Sequence, residues 1–83
     1  MQTSTTVRLF AVARQLAAAD EVRLEVPAPR TIAALRRALI TAYPQFTPFA
    51  GQLMFAVNTQ YAGDEATIPP DAEVACIPPV SGG

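Results

Sequence analysis

Only one stretch of this chain carries helical periodicity long enough to span a small domain. Ile32, Leu35, Leu39, Ile40 and Tyr43 recur at helical spacing and share one stripe of a helix. Thr31 stands just before the stripe, where its hydroxyl can accept from a free first-turn amide. Pro44 stands just after it and cannot continue a helix. Arg36 and Arg37 fall off the stripe and are expected to face water. One amphipathic helix must bury its stripe against something. In a chain of 83 residues the partner is a small sheet.

The sheet is visible as short alternating runs. From Thr5 to Val12, Val7, Leu9 and Ala11 point one way and Arg8, Phe10 and Val12 the other, the period of a half-buried strand. Phe10 lies on the arginine side. Either the next helix covers it, or it is an exposed aromatic at an interface. Ala13 to Ala19 is alanine-rich and reads as a short helix, with Val12 and Leu16 on one face. Val22, Leu24 and Val26 alternate with Arg23 and Glu25 in a second strand, stopped by Pro27 and Pro29.

Residues 44–52, with Pro48 and Gly51, read as a loop in which Phe46 and Phe49 close the core. The apolar run Leu53–Val57 predicts a buried central strand. Asn58 opens a polar turn, with Tyr61 just beyond it, and Pro69, Pro70 and Asp71 mark another turn. Glu73 to Ile77 is a last strand, with Val74 and Cys76 on one face and Ala75 and Ile77 on the other. Pro78 and Pro79 end it. Cys76 is expected in the core, not at a redox or persulfide site. The long helix between the second and third strands makes a crossover available. The expectation is one α+β domain over residues 1–83, with a mixed sheet packed on one main helix plus a short helix. A β-grasp sheet fits this pattern and size, and residues 80–83 form a flexible tail.

Composition narrows the function classes. The chain has no histidine and one cysteine, so no ordinary metal site and no Ser-His-Asp or Cys-His pair is expected. One cysteine excludes an internal disulfide. No apolar run approaches the roughly 20 residues that span a bilayer. The start, Met-Gln-Thr-Ser-Thr-Thr, lacks the features of a signal peptide. A net charge of -1 argues against nucleic acid as a partner. All six positive charges are arginines, with no lysine. A cytoplasmic domain that binds neither nucleic acid nor membrane is the expectation. Asp64, Glu65, Asp71 and Glu73 either steer toward a basic partner or are ordinary turn charges.

The C-terminus carries the chemistry. Pro78-Pro79 launches Val80-Ser81-Gly82-Gly83 directly from a strand. Gly82 and Gly83 remove all side-chain bulk, so the tail can enter a narrow channel and adopt backbone angles closed to other residues. The Gly83 carboxylate is unhindered but a poor electrophile. A partner must activate it, and acyl-adenylate formation with ATP is one route. A sulfur nucleophile could then convert the adenylate to a thiocarboxylate, a tethered sulfur donor at high effective concentration.

Leu9-Phe10-Ala11, Ala13-Arg14-Gln15-Leu16, Ala56-Val57-Asn58 and the run Glu73-Val74-Ala75-Cys76-Ile77-Pro78-Pro79-Val80-Ser81-Gly82-Gly83 carry a family resemblance from Val7 to Gly83. The chain resembles the small, sulfur-carrying subunit of molybdopterin synthase, of ubiquitin-like β-grasp fold. The resemblance implies that an E1-like adenylyltransferase uses ATP and Mg²⁺ to adenylate Gly83, and that a sulfurtransferase system replaces the adenylate with sulfur. It implies a heterotetramer with two large subunits, which supply the acid-base residues. There the tail donates sulfur to cyclic pyranopterin monophosphate, building the dithiolene that later holds molybdenum. The chain itself is then no enzyme and binds no cofactor.

The resemblance also implies that Phe10, Tyr61 and Ile77 form the apolar surface shared by the large subunit and the activating enzyme. With Pro78, Pro79, Val80 and Ser81 they are the expected partner-binding residues. The chain departs from the family at two turns. The family often has Arg-Glu-Leu then Gly, where this chain has Arg14-Gln15-Leu16 then Ala19-Asp20. It often has Gly-Asp-Glu, where this chain has Asp71-Ala72-Glu73. A sulfur carrier of thiazole or cysteine synthesis, or a ubiquitin-like modifier, is the alternative.

Overall fold

The computed structural model describes residues 4–78. The chain runs β1 (Ser4–Leu9), α1 (Ala11–Ala17), β2 (Glu21–Glu25), α2 (Ile32–Ala42), a 3-10 helix (Pro44–Phe49), β3 (Met54–Val57), β4 (Gln60–Ala62) and β5 (Val74–Ile77). The sheet has five strands in the order β2-β1-β5-β3-β4. β1 and β5 are parallel and every other pair is antiparallel. α2 lies on one face, which gives the expected mixed sheet in two layers.

The helical stripe sets the core. Ile32, Leu35 and Leu39 are fully buried, as are Val7, Val26, Phe46, Val74 and Cys76. Burying each large aliphatic side chain contributes roughly 1.5–3 kcal/mol. Thr31 caps α2, its hydroxyl accepting from the Ala34 amide at 3.2 Å. The neighbouring free amides of that end are also satisfied. Ile32 donates to the Ala66 carbonyl at 3.1 Å and Ala33 to the Asp64 carbonyl at 3.0 Å, so the segment before β5 is strapped to the start of α2.

Several sequence expectations need correction. β1 stops at Leu9, and Ala11, expected on its core face, starts α1 instead. The helical preference of the alanine-rich run reaches back past Ala13 and takes two residues from the strand. The turn is tight, with Ala11 at φ 53°. The expected loop at 44–52 contains a 3-10 helix, with Pro at its first position, where a missing amide is tolerated. β3 is not central: β5 is, and β3 lies one strand from the edge. The crossover joins no pair around α2. The parallel pair is β1 and β5, the first and last strands.

Arg36 does not simply face water. Its guanidinium is mostly covered, donating to the Ala50 and Leu53 carbonyls at 2.7 and 2.8 Å and to Asp64 at 2.7 Å. It also lies over the Phe55 ring, 5.3 Å from its centre. Asp64, expected as a turn charge, is the other half of this clamp.

The two departures from the family's turns are resolved by left-handed residues. Ala18 closes α1 at φ 57°, and Asp71 takes φ 61° before β5. Aspartate visits this region more readily than most residues, because its short side chain bonds locally. Alanine does so at a cost.

Candidate functional site

β5 is bounded on both flanks, by β1 and by β3. Ile77 is its last residue and Pro78 is buried. The segment that leads to the C-terminus therefore leaves from the central strand of the sheet. Pro79, Val80, Ser81, Gly82 and Gly83 lie outside the described residues.

The face of the sheet turned away from α2 follows from register. Val7, Leu9, Phe55, Val74 and Cys76 are buried toward the helix. The residues between them point outward. Ala56 pairs with Tyr61 on one side and Ala75 on the other, and Ala75 pairs with Arg8. Tyr61, Ala56, Ala75 and Arg8 thus form one row across four strands. In the next row Met54 pairs with Ile77. Leu9 pairs with Cys76, so Phe10, one residue on, comes level with Ile77.

Phe10, Met54 and Tyr61 are the exposed large hydrophobics among the described residues, at 46%, 51% and 65%. Ile77 is half-buried beside them. Phe10 is the residue preceding α1, with extended angles, so neither helix covers it. Tyr61 stands within β4, a strand the sequence reading left out. Its three residues carry too little alternation to show in the sequence. The structure thus places Phe10, Tyr61 and Ile77 on one face and adds Met54. Met54 was hidden because Leu53–Val57 read as one buried run. Period two alone would have put Met54 and Ala56 on a common face.

Between Phe10 and the β3–β4 turn the face dips into a depression of about 160 Å³, lined by Arg8, Ala56, Thr59, Glu73 and Ala75 as well as Phe10. The small Ala56 and Ala75 side chains make its floor. Arg8 and Glu73 pair across its polar side at 3.8 Å, both largely exposed, and contribute little to stability. A few exposed apolar side chains around a small-residue floor, with charge at one edge, have the anatomy of a protein-protein contact.

The β3–β4 turn is tied to the start of β5. Asn58 and Thr59 both have positive φ, at 51° and 71°, as a type I′ hairpin requires. The Asn58 amide donates to the Glu73 carbonyl at 2.8 Å, and its side-chain oxygen accepts from the Glu73 amide at 2.9 Å. Hairpin and tail-bearing strand therefore hold one another in place.

Cys76 lies beneath this face, fully buried. Desolvation pushes its thiol up to about 11, partly offset by the Arg36 guanidinium. It is a neutral core thiol, and a thiolate nucleophile is not available there at neutral pH.

Comparison with known proteins agrees with this architecture. The ThiS family model matches residues 7–83. A molybdopterin synthase sulfur carrier subunit of Caenorhabditis briggsae is 37% identical over 82 residues, covering 96% of this chain and 98% of that one. One from Arabidopsis thaliana is 32% identical over 77 residues, covering 93% and 80%. Among solved structures, SAMP1 from Haloferax volcanii superposes with a TM-score of 0.81 at 26% identity, covering 96% and 99%. A putative molybdopterin converting factor subunit 1 from Pyrococcus furiosus superposes with a TM-score of 0.81 at 24% identity, covering 94% and 99%, which bears on the fold alone. On these matches the chain belongs to the ThiS family of ubiquitin-like β-grasp proteins, and the sulfur carrier subunits of molybdopterin synthase are among its relatives.

Proposed function

We propose that this chain is a sulfur carrier in molybdenum cofactor biosynthesis, acting as the small, non-catalytic subunit of a molybdopterin synthase. The observation that carries the reading is the pairing of an apolar outer face with a C-terminal segment leaving the central strand beside it. Two relatives at 37% and 32% identity, both named as sulfur carrier subunits, support the pathway.

In this reading an E1-like enzyme binds the face of Phe10, Met54, Tyr61 and Ile77 and draws the tail into its site. The Gly83 carboxylate attacks the α-phosphate of Mg²⁺-bound ATP and releases pyrophosphate. The terminal sulfur of a persulfide donor then attacks the acyl carbon and displaces AMP, and a second thiol cleaves the resulting acyl disulfide, forming a disulfide with the donor sulfur and leaving a thiocarboxylate. The loaded chain docks by the same face on the large subunit, in a heterotetramer with two of each chain. The large subunit, in the cytoplasm, supplies the acid-base groups that move sulfur onto cyclic pyranopterin monophosphate. Gly82 adds no side-chain bulk in the channel, and Pro79, Val80 and Ser81 are the further residues proposed to contact the partner.

Reconstitution tests this. Thiocarboxylated chain mixed with the large subunit should convert cyclic pyranopterin monophosphate to the dithiolene product, and a Gly83-deleted chain should not. Sulfur delivered only to a thiazole or cysteine precursor would move the chain to another sulfur pathway. The structural similarity to SAMP1 supports one second reading, a protein modifier. That reading predicts an amide bond from Gly83 to a lysine of another protein.

A further inference from the structure

Among the described residues two carry sulfur, Cys76 and Met54. Cys76 is fully buried and its thiol stays neutral, so an oxidant from solution meets neither an exposed sulfur nor a thiolate there. Met54 is the opposite case. With Phe10 and Tyr61 it is one of the exposed large hydrophobics among the described residues. As the first residue of β3 it points away from α2, since Phe55 beside it is buried toward the helix.

The two flanks of Met54 differ. Ile77 stands directly opposite it on β5, within cross-strand side-chain reach. Phe10 is level with Ile77 beyond that. Phe10, Ile77 and Met54 thus form one apolar row at the end of the sheet from which the C-terminal segment leaves. On the other flank the β3–β4 register, carried one residue past Ala62, brings Gly63 level with Met54. Gly63 has no side chain, and a Cβ there would meet nothing within 4 Å. Met54 therefore has a packed flank and an open one.

We propose that Met54 is a reversible oxidation site: its sulfur takes one oxygen atom from hydrogen peroxide, and the sulfoxide closes the outer face to its partners. The inference rests on the sulfur-carrier reading of that face. In that reading one face serves two partners in turn, so it is bare whenever the chain passes between them. A methionine suits such a face, because its flexible thioether repacks against different surfaces. In the oxidation step the sulfur lone pair attacks one peroxide oxygen. The S–O bond forms as the O–O bond breaks, and the proton of the transferred oxygen ends on the departing one, which leaves as water. Sulfur loses two electrons and the peroxide gains them. Burying the new sulfoxide oxygen in an apolar contact leaves it without a donor, a cost the thioether does not incur. The fold is spared, because this side chain is not part of the core. A thiol-dependent reductase reverses the change: two thiols become a disulfide and the oxygen leaves as water.

The test uses the chain before sulfur loading, together with the large subunit. The chain is treated with hydrogen peroxide, freed of it, and mapped by mass spectrometry after digestion. Met54 should gain one oxygen, and calorimetry should show binding to the large subunit weakened by about tenfold or more. The thermal midpoint should be unchanged, and a methionine sulfoxide reductase with a thiol should restore the affinity. Met1 is also a thioether, so the Met54→Leu chain is the control. Its affinity, whatever the starting value, should be the same before and after peroxide. The inference is overturned if Met54 gains no oxygen, if the oxidised chain binds as tightly as the untreated one, if the Met54→Leu chain loses affinity to the same extent, or if the oxidised chain unfolds. An untreated chain that does not bind the large subunit would overturn the sulfur-carrier reading itself, and this inference with it.

Discussion

Ala56 and Ala75 stand directly opposite one another on β3 and β5, with their methyl groups on the face away from α2. No larger side chain fits there without filling the depression bounded by Phe10 and Thr59. Ala75→Leu should therefore leave stability within about 0.5 kcal/mol, since it adds bulk to an open face. Binding of the large subunit, followed by calorimetry, should weaken by about tenfold or more. Unchanged affinity would remove the depression from the interface.

Phe10 is the exposed aromatic beside the same depression. Replacing a central aromatic by a charge typically costs 2 kcal/mol or more in binding, so Phe10→Asp should weaken both proposed complexes by at least about thirtyfold. Its denaturation midpoint should move little, because the ring already meets water. Loss of the fold together with binding would assign Phe10 to the core instead.

Arg36 makes the opposite prediction. It serves two backbone carbonyls and Asp64 at once. Arg36→Met should destabilise by about 2–3 kcal/mol, because the Ala50 and Leu53 carbonyls lose their partner. Arg36→Lys should recover little, since a point charge cannot fork to three oxygens. Urea titration measures both. A Lys variant as stable as the parent would show that charge alone matters.

Cys76 links stability to alkaline pH. The unfolded thiol ionises near 9.0, the folded one near 11. Between these values the folded state holds more protons, so stability falls as pH rises through that window and is unaffected by this group below it. Cys76→Ala should cost roughly 1 kcal/mol near neutrality and show a shallower decline from pH 9 to 11. Parallel curves for the two proteins would contradict a buried neutral thiol.

Three left-handed residues other than Asn58 and Asp71 stand in tight turns, Ala11, Ala18 and Thr59, and the last two are open to improvement. Ala18→Gly and Thr59→Gly should each raise stability by about 0.5–1 kcal/mol, as glycine carries no Cβ penalty at positive φ. Thermal unfolding reads the change, and a loss of stability in either would mean the local turn is held by side-chain contacts.

What the sequence disclosed followed the strength of its periodic signals. The α2 stripe, the Thr31 cap and the alternation of β2 and β5 were legible because many residues repeat one pattern. Phe10 and Ile77 were placed off the core side by alternation alone. β4 was not legible, since a three-residue strand has no period to detect. Arg36 was misplaced because its partners, two carbonyls and Asp64, are brought to it only by the 3-10 segment and the turn after β4. Met54 was lost inside an apolar run whose outer face is exposed.

The central claim is that Gly83 is the sulfur-bearing atom's attachment point. The most direct measurement is the intact mass of the chain after incubation with its E1-like enzyme, ATP, Mg²⁺ and a sulfur donor. The account predicts a gain equal to exchange of one oxygen for sulfur, absent from a Gly83-deleted chain and sharply reduced in Phe10→Asp. An unchanged mass with an enzyme shown to be active, or a gain that survives loss of Gly83, would contradict it.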